Sequence, residues 1–99
     1  MYIPGLVEPA RNESVSVGTT SVEVAPRRER SMIYIRNSSA GAQVITVVYS
    51  DLVATANAGF VLAAGDYITD SDSQNYVSYQ GRISAVSDLA GGTLAVVER

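Results

Sequence analysis

The sequence predicts an all-β fold: a single compact antiparallel β-sandwich or barrel of about eight strands, with an extended N-terminal arm. Three observations predict it. Apolar and polar residues alternate with period two along most of the chain. Turn signals recur roughly every eight to twelve residues, the spacing of sandwiches and barrels. Val, Ile and Tyr, the β-branched and aromatic strand formers, dominate the apolar residues, and no stretch supports a helix longer than about two turns.

The elements follow in order. "MYIPGLVEPARN" carries Pro4, Gly5 and Pro9, which neither a helix nor a central strand tolerates at that spacing. Residues 1–12 are therefore read as an arm and residues 13–99 as the domain. In "ESVSVGTTSVEVAP", Val15 and Val17 alternate with serines, and Val22 and Val24 alternate with Ser21 and Glu23. That predicts strand, turn at "GTT", and strand, ended by Pro26. "PRRERS" is a charged loop, "SMIYIRN" a third strand, and "SSAG" its turn. "AQVITVVYS" is the most apolar strand and is expected centrally; "DLVATANAG" reads as a loop, with a single helical turn as the alternative. "GFVLAAGDYITDS" predicts two strands around a tight turn, in which Gly65 supplies positive φ and Asp66 bonds backbone amides. "YVSYQ" reads as a strand that Gly81 bends before "RISAVS" continues it. "TLAVVE" closes the sheet at the C-terminus.

Composition excludes much chemistry. The 99 residues make one domain, and 46% of them are hydrophobic, an ordinary globular share. Cysteine and histidine are both absent, so no thiolate, no imidazole base and no disulfide is present. Serines and threonines have no histidine or lysine partner, and the acidic residues, all but Glu23 and Glu98 read into loops or the arm, form no distinctive pair. No catalytic role is expected, nor a cofactor. The N-terminal stretch lacks the basic and apolar regions of a signal peptide, and no apolar run approaches the roughly 20 residues that span a bilayer. No membrane association is expected. The net charge of −3 argues against nucleic acid as a partner, because phosphate binding needs a basic face.

Three clusters invite a functional reading. "TDSDSQN" spaces Asp70 and Asp72 as oxygen ligands of Ca²⁺ would be, but it lacks the glycine and distal glutamate of a calcium loop, so no metal is assigned and a plain turn is expected. All seven basic residues are arginine, and Arg27, Arg28 and Arg30 cluster around Glu29, suited to bidentate contacts with an acidic partner. Tyr2, Ile3, Leu6 and Val7 make the arm apolar and in need of a surface to cover. These seven residues are the candidate partner contacts. Six tyrosines are many for this length; most are expected in the core, and an exposed one suits a protein interface or a sugar.

The order of these elements resembles small β-rich virion proteins of tailed bacteriophages, namely capsid decoration (cement) proteins and head or tail appendage modules. The shared stretches are "SVSVGTTSVEVAP" with its arginine loop, "MIYIRNSSAGAQVITV", "GFVLAAGDYIT" and "GRISAVSDLAGGTLAVVE". The resemblance implies a structural virion protein that binds the lattice of a major capsid or other virion protein and stabilises the particle. It implies assembly in the host cytoplasm and self-association, a trimer being favoured. The alternatives are a receptor- or carbohydrate-binding module of a head fibre or tail appendage, and an accessory domain of an enzyme. The apolar arm favours the first.

Overall fold

The computed structural model describes residues 11–99. Eight strands form two four-stranded sheets: β1 (Arg11–Val17), β8 (Gly92–Glu98), β3 (Met32–Asn37) and β6 (Tyr67–Ser71) in one; β2 (Val22–Ala25), β7 (Ile83–Ser87), β4 (Ile45–Tyr49) and β5 (Phe60–Leu62) in the other. Within each sheet the strands lie in the order just given, and every pairing is antiparallel. No helix occurs among the described residues. This strand order is that of the jelly roll, two sheets packed as a sandwich.

Alternation decides which residues meet between the sheets. Val17, Ile33, Ile35, Leu94 and Val96 project inward from the first sheet; Ile45, Val47, Leu62, Ile83 and Ala85 meet them from the second, all buried. Burying an aliphatic side chain of this size contributes roughly 1.5–3 kcal/mol. Asn37 ends β3 fully buried and ties the layers together: its Nδ2 donates to the carbonyls of Gln43 (2.8 Å) and Leu62 (2.9 Å), and its Oδ1 accepts the Ser39 amide (3.1 Å).

Several expectations change. The strand-turn-strand units at Gly18–Thr20 and Ala63–Asp66 are not paired hairpins, because β1 and β2, like β5 and β6, lie in different sheets. Among consecutive strands only β4 and β5 pair. The turn chemistry at Ala63–Asp66 is nonetheless as read: Gly65 has φ 90°, Asp66 N donates to Ala63 O (2.9 Å), and Asp66 Oδ2 accepts Ala63 N (3.0 Å). β1 starts at Arg11, so residues 11–12 are strand rather than arm, and Glu13 lies on that strand rather than in a loop. "YVSYQ" forms no strand; Tyr76 makes a lone bridge to Ser73, and β7 begins only at Ile83. β4 is an interior strand, as its apolar sequence required.

Residues 50–59 cross the outer face of the second sheet. Ala54 N donates to Ser21 Oγ (2.9 Å) and Asn57 N to Thr46 Oγ1 (3.0 Å), and beneath them Thr46, Ser84 and Val86 are buried. This is why all five residues of β7 are buried although alternate side chains point away from the core. Leu52 and Val53 face outward from this segment, about three-quarters exposed (74% and 73%).

Candidate functional site

The arginine loop divides. Arg30 is buried: Nε meets Glu98 Oε2 at 2.9 Å, Nη1 donates to the carbonyls of Tyr79 (2.7 Å) and Gly81 (3.2 Å), and Nη2 donates to Pro26 O (2.7 Å). A guanidinium so placed closes one end of the sandwich and has no surface to offer, which corrects the expectation that Arg30 meets a partner. Arg28 is partly exposed and pairs with Glu98 Oε1 at 2.7 Å. Glu98, on the inward face of β8, thus holds two arginines. Arg27 is exposed and pairs with Asp51 at 2.9 Å, a contact that surface water screens. Of the three, it is the one whose charge is available to another molecule. Tyr2, Ile3, Leu6 and Val7 lie outside the described residues.

The carboxylates of the acidic loop are likewise engaged within the chain. Asp70 stands on β6 rather than in a turn, nearly buried, and its Oδ2 accepts the Tyr79 amide at 3.0 Å. Asp72 Oδ1 accepts the Ser78 amide at 2.7 Å. Both carboxylates pin the β6–β7 connection, and among the described residues no three acidic side chains gather as a metal site would require.

Around this connection the structure assembles an aromatic cluster. Tyr49 ends β4 on its inward-facing register, with Ile45 and Val47; Phe60 opposes Val47 across the β4–β5 pair and so shares that face. The Tyr49 and Phe60 rings are 5.0 Å apart and tilted by 57°, and Tyr79 stacks on Tyr49 at 4.9 Å, within 5° of parallel. Gly81 makes the stack possible, since a Cβ there would overlap the Tyr79 ring, which folds back so that its hydroxyl donates to Arg82 O (3.0 Å). Tyr76 is half exposed, as is Phe60. Burial, and then the Asp70 charge and Tyr76, push the Tyr49 hydroxyl from an ordinary 10.0 up to about 12, with Arg30 opposing. The Tyr76 hydroxyl is pushed up as well, chiefly by the Asp70 side chain. A second pair, Tyr34 and Tyr67, lies 5.4 Å apart on the outer face of the first sheet.

The sequence marked the tyrosines but not this grouping. In the sequence Phe60 carries no signal beyond a short strand, and the polar run around Asp70 reads as a turn. Residues from β4, β5, β6 and the loop after it meet only because β5 and β6 are the free edges of two stacked sheets.

No family model, no curated protein and no solved structure matches the chain.

Proposed function

We propose that this protein is a structural virion protein, of the capsid decoration kind, that binds the surface of an assembled protein lattice. The observation that supports this most is the strand order β1-β8-β3-β6 over β2-β7-β4-β5, because viral capsid domains are prominent users of the jelly roll. A fold hosts many functions, so the surface must carry the rest of the argument. Leu52 and Val53 stand about three-quarters exposed on the segment that covers the second sheet, and Val77 is 69% exposed. Exposed apolar side chains grouped on one segment suit burial against a partner. Arg27 and Asp51 flank them with a screened pair that a partner carboxylate or cation can exchange into. The apolar sequence of residues 1–10 adds a second adhesive element, suited to tying copies or neighbours together.

The test is direct. Particles purified from the protein's own source are analysed by mass spectrometry and cryo-electron microscopy, with and without the gene. The expected result is the chain in stoichiometric amount on the particle surface, surface density that vanishes with the gene, and particles that break at lower temperature without it. Particles that lack the chain, or that lose neither density nor stability, overturn the reading.

A further inference from the structure

Each sheet ends in two edge strands, and an edge strand offers unpaired backbone groups to any further strand. Three of these edges are short: β2 has four residues and a register shift between Glu23 and Ala25, β5 has three residues, and β6 has five. β1 has seven, Arg11–Val17, with no proline and in unbroken register with β8 from Arg11↔Glu98 to Val17↔Gly92. We propose that the free edge of β1 pairs with β1 of a second copy of this chain, antiparallel about a two-fold axis at Val15, so that the first sheets of the two copies become continuous.

The ladder fixes which backbone groups are free. Ser38 N donates to Thr93 O (3.0 Å), and Met32 and Arg99 exchange their backbone bonds (3.2 and 3.1 Å), so the odd-numbered residues of β8 address β3. The even-numbered residues of β8 therefore address β1, where the register sets them against Glu13, Val15 and Val17. Ser14 and Ser16 point their amides and carbonyls the other way, where no described strand lies. Their side chains are small and exposed, so nothing bulky overhangs these groups.

The side chains select a second copy and its register. The charges of β1, Arg11 and Glu13, lie in its first half, and residues 14–17 carry none. Parallel pairing in register, or a two-fold at Glu13, sets Glu13 on Glu13, and like charges directly opposite are destabilising. A two-fold at Ser14 sets Val15 against Glu13, and one at Asn12 or Ser16 pairs only residues 11–13 or 15–17 of β1 with themselves. A two-fold at Val15 pairs residues 13–17. Ser14 of each copy exchanges both backbone bonds with Ser16 of the other, and Val15 packs on Val15. Glu13 opposes Val17, whose side chain is in the core, so the carboxylate stays in water. An isologous contact of this kind closes as a dimer, and a trimer would need another surface.

The experiment uses the full chain. Across the pair Val15 meets Val15 at a non-hydrogen-bonded position, where Cα atoms lie about 4.5 Å apart, within the roughly 4.4–6.8 Å that a disulfide spans. The two Glu13 are offset along the strands by about 14 Å. The chain has no cysteine, so each variant carries a single one. Under mild oxidation Val15→Cys should form the intermolecular disulfide roughly tenfold faster, or more, than Glu13→Cys or Ser14→Cys, although Glu13 and Ser14 are the more exposed positions. In the unmodified chain, sedimentation should show monomer passing to dimer between about 10 µM and about 1 mM. Over the same range hydrogen exchange at the Ser14 and Ser16 amides should slow roughly tenfold while β3 is unchanged. Ser16→Pro removes an outward amide and no β8 bond, so it should stay folded by circular dichroism and monomeric at both concentrations. The proposal is overturned if Glu13→Cys or Ser14→Cys links as fast as Val15→Cys, if the chain is monomeric throughout, or if Ser16→Pro dimerises as the unmodified chain does. Protection of Ser14 and Ser16 that is the same at both concentrations also overturns it, because another part of the same chain would then cover the edge. None of these readings involves a particle, so this pairing and the virion assignment can fail separately.

Discussion

Arg30 and Arg27 sit three positions apart and do different work. Arg30 and Glu98 are a buried pair whose side chains are 1% and 5% exposed, while the Arg27–Asp51 pair is open to water. Removing Arg30 leaves Glu98 to Arg28 alone and takes the donor from the carbonyls of Pro26, Tyr79 and Gly81; breaking a buried pair costs up to about 3–5 kcal/mol, whereas an exposed pair contributes about 0–1 kcal/mol. Arg30→Ala should therefore lower the urea midpoint sharply and Arg27→Ala barely. Equal effects would mean that the Arg30 network is worth no more than a surface contact. Tyr49 gives a second prediction at this scale. The folded chain keeps its phenol proton to about pH 12, whereas the unfolded chain releases it near 10.0. Stability from this group is complete below pH 10 and is lost as pH rises from about 10 to about 12. Absorbance at 295 nm should show a late-titrating tyrosine, and Asp70→Asn should bring it earlier.

The β6–β7 connection is the element with most of its order supplied by side chains. Asp70 and Asp72 accept the amides of Tyr79 and Ser78, in place of the strand pairing that "YVSYQ" promised. Asp72→Ala should speed hydrogen exchange at Ser78 and leave β3 and β8 protected. Because both carboxylates are already engaged by the chain, millimolar Ca²⁺ and a chelator should give the same melting curve. A site filled to 100 times its Kd would add about 2.7 kcal/mol, which for a domain of this size raises the midpoint by roughly 10–20 °C. A shift of that size, lost in Asp72→Ala, would make this connection a cation site.

At the scale of the molecule, all eight strands lie between Arg11 and Glu98. Deleting residues 1–9 should leave the far-ultraviolet circular dichroism and the cooperative melt in place while lowering self-association in sedimentation velocity. A truncated chain that fails to fold would instead place the arm within its own domain's core. Association that is unchanged would shift the adhesive role to Leu52 and Val53.

The all-β class, the approximate strand positions and the Gly65–Asp66 turn follow from the sequence alone, because alternation and turn chemistry are local properties. Val15 and Val17, Ile33 and Ile35, and Leu94 and Val96 carry their inward period wherever their strands go. Which strands pair is not local. The same tight turn can return a strand to its neighbour or send it to the opposite sheet, and the choice rests on how apolar faces stack over the whole chain. For that reason β5 and β6 read as a hairpin and became two edges. The same reason governs the sites. Arg30 looked like surface charge because "PRRERS" is polar, and only the docking of Glu98 from 68 residues further along the chain buries it. Tyr49, Phe60 and Tyr79 form a cluster by tertiary structure alone, since their contacts join strands and a loop that the sequence keeps apart.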